Sequence, residues 1–171
     1  MKTINSKTVE KLKARYSHRQ FMDYTWLDST PMQAGLHTKE MCRLIDKAIE
    51  DYRNGLSTFL VVKMPFRHGK SQIISRYLPP HFLGEFPNSE VMLVTYASSL
   101  AEGFSRYARK ILKSTEYQEL YPEIKIDKNN SGVQEWGIQD KLGTCRASGL
   151  TSGITGKGVS LRYIRRLLCK S

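Results

Sequence analysis

The sequence contains little cysteine and no long apolar run, and both absences limit the class of protein. Its three cysteines, Cys42, Cys145 and Cys169, are odd in number and far apart, which excludes a disulfide framework and a CxxC metal pair. No apolar run approaches the roughly 18 residues of a membrane span. The charged, helix-spaced N-terminus also lacks the apolar core of a secretory signal. We therefore expect a cytoplasmic protein with no membrane partner, in which the cysteines are plain thiols.

Acidic residues are also scarce, and their scarcity is uneven along the chain. The 171 residues include 27 Lys and Arg against 16 Asp and Glu, which gives a net charge of +11. Glu10 is the single acid among residues 1–20, and residues 157–171 contain none. This balance favours phosphate-rich partners, DNA or RNA, bound without sequence readout. A solvated basic surface is the alternative interpretation of the same charge.

The segment FLVVKMPFRHGKS, residues 59–71, has the layout of a phosphate-binding loop. Its apolar run at residues 60–62 predicts a strand, and the spacing of apolar residues after the loop predicts a helix. In that arrangement the start of the helix attracts an anion, Lys70 reaches the β- and γ-phosphates, and the Ser71 hydroxyl binds Mg²⁺. Met64 stands where the standard spacing has glycine, so an ordinary Gly-Lys-Ser turn is the alternative.

Helix and strand signals alternate along the rest of the chain. Helices are predicted at about residues 7–16, 38–54, 70–77 and 99–113, and strands at residues 91–96, 133–138 and 144–148. Thr38 and Ser98 or Ser99 are the predicted N-caps, and Asn54-Gly55 is a predicted helix stop. Pro79-Pro80 is predicted to break the chain before the next strand. The aromatic stretch at residues 21–26 is expected to pack as a lid.

Two segments near the end of the chain lack what nucleotide hydrolysis needs. In the glycine-rich run 149–158, Gly158 follows Lys157 where a second phosphate loop needs Ser or Thr, so we predict a flexible loop there. Residues 159–171 contain no Asp or Glu, whereas a Walker B strand ends in carboxylates that hold Mg²⁺ and activate water. We therefore expect negligible ATP turnover. Apolar residues of this tail, such as Tyr163, would partly replace the missing strand.

Residues 64–122, from MPFRHGKSQ to TEYQELYP, resemble the ATPase domain of phage terminase large subunits, the motors that pump DNA into procapsids. The shared features are a glycine-poor, proline-containing Walker A loop that ends in Arg-His-Gly-Lys-Ser, a helix that begins Tyr-Ala-Ser-Ser-Leu-Ala, and Glu-Tyr-Gln before Tyr-Pro. The run that begins at Arg146 resembles the family's RAxGxxxGxTGxG segment. The similarity extends over roughly residues 20–158.

The resemblance implies a nucleotide site for ATP and Mg²⁺ within one short run of residues: Arg67, His68, Gly69, Lys70 and Ser71. Lys70 and Ser71 would take the Walker A roles, with Ser71 as the Mg²⁺ ligand. Arg67 would contact the γ-phosphate or a neighbouring subunit. Gln33 and His37 lie upstream, where such ATPases place adenine-side contacts, although ordinary solvent-exposed polar residues explain both equally well.

We therefore expect an α/β fold: a parallel sheet of the P-loop NTPase (ASCE-like) type flanked by helices, incomplete, with a helical N-terminal extension. The expected parts are a helical and aromatic extension at residues 1–36, a partial ATPase core at 37–158 and an aberrant basic tail at 159–171. The implied partners are double-stranded DNA, a small terminase subunit and a portal protein, in the cytoplasm of a bacterial host. The chain would be truncated before Walker B and lack the nuclease domain. A shift of reading frame just after Gly158 or Ser160 would explain the tail.

Two other classes of function fit part of the sequence. A P-loop small-molecule kinase would need acceptor-site acids and a lid over the acceptor site, and we find no candidate for either. A non-enzymatic basic nucleic-acid-binding protein, or a degenerate prophage remnant, predicts salt-sensitive DNA binding that does not depend on nucleotide. The missing acids of the tail favour this second alternative.

Overall fold

The computed structural model describes residues 6–28, 35–65, 67–150 and 159–165, which form helices and a mixed β-sheet. The chain divides into two units, one that ends at Ile73 and one that begins at Ile74. The described residues of the first unit form three helices and include the predicted phosphate-binding loop. The second contains a five-stranded sheet flanked by helices. The α/β class predicted from the sequence is therefore confirmed.

The helices of the first unit are α1 (Ser6–Tyr16), α2 (His18–Tyr24) and α3 (Leu36–Arg53). The apolar residues that α3 buries at helical spacing are Met41, Ile45 and Ile49. The start of α3 differs from the prediction, because Gly35 and not Thr38 is the N-cap. A Cβ atom at position 35 would lie 2.7 Å from a carbon of the His37 ring, so a larger residue there would require the His37 side chain to move.

Helix α3 ends at Arg53, which confirms the helix stop predicted from Asn54-Gly55. Gly55 has a φ of +74°, the left-handed conformation that glycine adopts without a steric cost. Its N–H donates to the Tyr52 carbonyl at 3.0 Å. The Leu56 N–H donates to the Asp51 carbonyl at 2.8 Å. Together these two bonds are a Schellman motif, which satisfies carbonyl groups that the helix end leaves without partners.

The strand predicted at residues 60–62 is absent, so this prediction was wrong. Residues 56–65 form neither helix nor strand, and the Phe59 and Val61 residues are 96% and 78% exposed. A strand needs a neighbouring strand for its backbone hydrogen bonds, and among the described residues none pairs with this run. Within the described part of the chain, this run therefore contributes nothing to the parallel sheet that was expected. A short apolar run shows a preference for the strand conformation but does not supply a partner.

The aromatic stretch at residues 21–26, expected as a lid, begins inside the core of the first unit. Phe21 and Met22 lie in α2 and are fully buried. Thr25 is the C-cap of α2, and both its backbone N–H and its hydroxyl donate to the Phe21 carbonyl. Full burial of one such apolar side chain contributes roughly 1.5–3 kcal/mol. This part of the stretch is therefore a packing element.

A seven-residue π-helix, Ser71–Tyr77, follows the loop, and α4 (Leu78–Glu85) follows it directly. The helix predicted over residues 70–77 is thus present in a more loosely wound form. Pro79 and Pro80, predicted to break the chain, instead begin α4. In the first turn of a helix an N–H has no intrahelical acceptor, so proline loses no hydrogen bond there.

The strands of the second unit are β1 (Glu90–Thr95), β2 (Ile126–Ser131), β3 (Glu135–Ile138), β4 (Thr144–Gly149) and β5 (Leu161–Arg165). Their order across the sheet is β2-β3-β4-β1-β5. Strand β1 pairs in parallel with β4 and β5, whereas β3 pairs antiparallel with β2 and β4. The sheet is therefore mixed, not purely parallel as expected. The apolar run of β1 is buried along its length, as strands covered on both faces require.

The strands predicted at residues 133–138 and 144–148 are confirmed as β3 and β4, which pair antiparallel with Trp136 opposite Cys145. Sequence reasoning missed β2, because IDKNNS is a mostly polar run and lies at the edge of the sheet. Gly143, before β4, donates its N–H to the Pro87 carbonyl at 3.0 Å. A Cβ atom at position 143 would lie only 2.2 Å from that carbonyl oxygen, so the close approach of the two backbones requires glycine.

Helices α5 (Ser98–Leu112) and α6 (Thr115–Leu120) complete the second unit. The helix predicted at about residues 99–113 is confirmed as α5, which buries apolar residues at helical spacing: Phe104, Ala108, Ile111 and Leu112. The α5 N-cap is Ala97 and neither predicted serine. A buried polar link joins α5 to β3: the Ser105 hydroxyl accepts from the Trp136 indole N–H at 3.0 Å and donates to the Val133 carbonyl at 2.6 Å.

The basic tail contributes β5 at one edge of the sheet, in register with β1. Leu161 lies opposite Val91, and Arg165 lies opposite Thr95. Residues 161–165 of the tail, Tyr163 among them, therefore form a strand as expected, whereas residues 166–171 lie outside the described residues. Strand β5 ends at Arg165 and contains no acidic residue.

Candidate functional site

Residues 67–71 lead from the extended segment into the π-helix, and two of them have left-handed backbone conformations. Arg67 has a φ of +64° and Gly69 a φ of +76°, with His68 between them. Glycine adopts this conformation freely, whereas for arginine it costs on the order of 1–2 kcal/mol. Strained residues cluster at ligand-binding sites, and alternating left- and right-handed residues arrange N–H groups into anion-binding nests.

The loop is joined to the helix by a backbone bond, because the Ile73 N–H donates to the Gly69 carbonyl at 3.0 Å. Lys70 and Ser71 therefore lie in the first turn, where backbone N–H groups have no intrahelical acceptor. Both side chains are partly buried. Among the described residues, neither has a hydrogen-bond or ion-pair partner. The local order of loop, lysine and serine is thus the one predicted, without the strand that was expected before it.

Two buried contacts within the first unit fix this turn. The ring of His18, which is fully buried, places Nε2 3.0 Å from the Ile73 carbonyl oxygen, so Nε2 carries the donated proton. The backbone N–H of His18 donates to the Asp46 carboxylate at 2.6 Å. Burial raises the pKa of Asp46, while the hydrogen bonds from His18 and Ser17 oppose that rise. The start of the helix is thereby anchored to α2 and α3.

Sequence reasoning missed both His18 and Asp46. A signal for Asp46 was present, because it lies on the same face of α3 as Cys42 and Ile49, which are buried. An acid on the buried face of a helix indicates a polar partner in the core. No comparable signal identified His18, since its partner is a backbone carbonyl 55 residues away.

The structure brings one of the two upstream candidates to the loop. The His37 ring meets the His68 ring edge to face, with centroids 5.7 Å apart. His37 is the second residue of α3, so the start of this helix lies beside the loop. Gln33 lies outside the described residues. His37 is therefore placed where it can contact a molecule bound at residues 67–71, although its side chain also packs against protein.

The donor set fits a phosphate group better than a metal centre. Lys70 and Arg67 supply positive charge and the first turn supplies N–H groups, which together suit a polyphosphate. Ser71 offers one hydroxyl, which suits Mg²⁺ that keeps several waters and is otherwise held by phosphate oxygens. Within residues 6–28, 35–65, 67–150 and 159–165, no group of three His, Cys, Asp or Glu side chains is arranged to hold a metal ion.

The cysteines within the described residues are structural. Cys42 and Cys145 are free and buried. Burial raises the pKa of Cys42 to about 11 and the pKa of Cys145 still further. Thiols of this kind are poor nucleophiles and poor metal ligands at neutral pH. The prediction of plain thiols is confirmed for these two, whereas Cys169 lies outside the described residues, as do residues 151–158 of the glycine-rich run.

Comparison of the chain with protein-family models, with characterised proteins and with solved structures finds no match. No helix among the described residues is both long enough and apolar enough to cross a membrane.

Proposed function

We propose that this chain binds Mg·ATP at residues 67–71 as the nucleotide-binding portion of a terminase-type motor that packages double-stranded DNA. We further propose that it does not turn ATP over at an appreciable rate. The observation that carries the first proposal is the loop itself. Two left-handed residues, Arg67 and Gly69, precede a helix whose first turn holds Lys70 and Ser71, neither of which has a hydrogen-bond or ion-pair partner in the described part of the chain.

Each residue of the loop has a distinct expected role. The Lys70 ammonium would neutralise the β- and γ-phosphate oxygens, and the Ser71 hydroxyl would ligate Mg²⁺. The left-handed conformation at Gly69 is of the kind that lets successive backbone N–H groups bind one anion. The strain at Arg67 is a cost that folding alone gives no reason to keep, and that a bound phosphate would offset.

The proposal of negligible turnover rests on the carboxylates. Hydrolysis in this class of site needs an acid that positions Mg²⁺ and another that orients the attacking water. Residues 159–171 contain no acid, and Arg165 ends β5 where an acid is needed. Removal of such groups typically lowers a rate by factors of about 10²–10⁴. Binding without hydrolysis is therefore the expected behaviour.

The experiment is titration calorimetry of Mg·ATP into the full chain, with phosphate release followed in parallel. Lys70→Ala should weaken binding by about 10- to 100-fold, because a hydrogen bond to a charged group contributes roughly 1.5–3 kcal/mol. Lys63→Ala is the matched control, since Lys63 is exposed and precedes the loop. Ser71→Ala should remove the gain in affinity that Mg²⁺ gives over EDTA. Equal losses in the Lys63 and Lys70 variants would contradict the site.

A second candidate function is nucleic-acid binding without nucleotide, which the net charge of +11 favours. A folded chain that binds no Mg·ATP but binds DNA in a salt-sensitive manner would establish it. Turnover that Lys70→Ala abolishes would instead show that an acid elsewhere in the chain serves the reaction.

A further inference from the structure

The exposed face of α5 carries a concentrated positive charge. Residues 103–113 contain no acid and four cationic side chains at spacings of three and four residues: Arg106, Arg109, Lys110 and Lys113. At 100° per residue these four lie on one side of the helix, opposite the buried Phe104 and Ala108. Lys110 and Lys113 are exposed, as is Arg106, whose side chain is 57% exposed. We refer to these four residues as the α5 basic face.

Little negative charge balances the α5 basic face. Glu102, one turn before it, lies 3.8 Å from Arg106 and also accepts a hydrogen bond from Gln134 at 2.9 Å. Arg109, Lys110 and Lys113 form no ion pair with any described residue. Three of the four positive charges therefore have no protein counter-charge within the described part of the chain.

On helix α3, by contrast, positive charges of the exposed face are balanced by acidic side chains of the same helix. Its ion pairs at spacings of three or four residues are Arg43–Glu40, Lys47–Asp51 and Arg53–Glu50. Such pairs stabilise a helix and leave its surface nearly neutral. The α5 basic face follows the opposite pattern, although both helices are long, amphipathic and exposed on one side.

The arrangement on α5 works against the stability of the helix. Arg106 and Lys110 are separated by four residues, as are Arg109 and Lys113, and like charges at this spacing repel. The helix dipole favours cations in the last turn and offsets part of the repulsion. The dipole does not explain why residues 103–113 contain four cations and no acid. A surface that keeps unfavourable charge is better explained by a negatively charged partner.

The border of the face adds an aromatic ring. The Arg76 guanidinium lies 4.5 Å from the centroid of the Tyr107 ring, and Tyr107 lies one turn before Lys110 on α5. Arginine held on an aromatic ring is a common element of surfaces that bind phosphate groups and nucleic acids.

We propose that the α5 basic face binds the phosphate backbone of duplex DNA. From Arg106 to Lys113 the helix rises about 10 Å, and duplex DNA carries roughly one negative charge per 1.7 Å of its axis. The face therefore meets several phosphates at once, without any contact to bases. The choice of duplex DNA rests on the proposed function, but the surface does not involve residues 67–71.

The test is fluorescence anisotropy of the full chain with a labelled duplex of random sequence, over a series of salt concentrations. Lys110→Gln/Lys113→Gln removes two charges from the α5 basic face. Lys39→Gln/Lys47→Gln removes two exposed charges from α3 and is the matched control. Two lost phosphate contacts should lower the slope of log K against log salt by ~1.8 and weaken binding by more than about tenfold at low salt.

The outcomes separate this proposal from the nucleotide site. The α5 variant should lose DNA affinity, the α3 variant should keep it, and Lys110→Arg/Lys113→Arg should keep it with an unchanged slope. Lys70→Ala should bind DNA normally even where it binds no ATP. The proposal is overturned if the α3 and α5 variants lose DNA affinity equally, or if the salt slope of the α5 variant equals that of the wild type. It is also overturned if the α5 variant keeps its DNA affinity and loses only its binding to phosphatidylserine vesicles. Circular dichroism establishes that each variant is folded.

Discussion

Replacement of Ser105 by alanine should destabilise the protein, because this hydroxyl joins α5 to β3 and the adjoining loop. The Ser105 side chain and Trp136 are both fully buried. Alanine at position 105 would leave the indole N–H of Trp136 without its acceptor, which costs about 1–3 kcal/mol. Alanine has a higher helix propensity than serine, which returns about 0.5 kcal/mol. The expected net loss is therefore about 0.5–2.5 kcal/mol, or roughly 1–10 °C in Tm for a chain of this size.

The assay is urea unfolding followed by far-UV circular dichroism, with a double-mutant cycle. Trp136→Phe keeps an aromatic ring but removes the N–H, so Ser105→Ala should cost little more in that background. The coupling free energy should be about 1–2 kcal/mol. Ser99→Ala is the control, since Ser99 lies exposed in the first turn of the same helix. A Ser105→Ala loss within about 0.5 kcal/mol of the control would refute the reasoning, because exposed substitutions typically stay in that range.

Two further predictions concern glycine contacts and a buried acid. Gly143→Ala should lower the free energy of unfolding by about 1–3 kcal/mol, because its Cβ would lie 2.2 Å from the Pro87 carbonyl oxygen. Gly103→Ala in α5 should raise it by about 0.5–1 kcal/mol, because a Cβ at that position meets no atom within 4 Å. Thermal melts in which both variants change Tm in the same direction would contradict these two expectations. Burial raises the folded-state pKa of Asp46 above 3.8, so its contribution to stability is largest at low pH and is lost as pH rises through the folded-state value. The stability of wild type relative to Asp46→Asn, from urea unfolding, should therefore fall from acid to neutral pH, and a rise would mean that the bonds from His18 and Ser17 outweigh burial.

The helices were the most predictable part of this fold. Those at Ser6–Tyr16, Leu36–Arg53 and Ser98–Leu112 follow from apolar residues spaced by three and four. The end of α3 followed from Asn54-Gly55, because glycine is the residue that adopts the left-handed conformation of a Schellman motif. These features depend on residues a few positions apart. Local sequence contains that information directly.

The strands show where local information ends. The apolar run of β1 and the run at residues 60–62 are similar in sequence, yet β1 lies between two parallel strands and the other run is exposed. Strand β2 is mostly polar and is paired nonetheless. Whether a run becomes a strand depends on which segment offers it hydrogen bonds. That partner is often distant in sequence, as Leu161 is for Val91.

The candidate site, like the fold, could be predicted from the sequence only in part. The sequence by itself determined the order of Arg67 to Ser71, the lack of acids in the tail and the run of positive charge on α5. Tertiary structure alone decided that His18 fixes the turn after the loop, that His37 lies against His68, and that three of the four α5 cations have no ion-pair partner among the described residues. The physical reason is that side-chain chemistry is a property of each residue, whereas burial, pairing and strain depend on groups that folding brings together from distant positions.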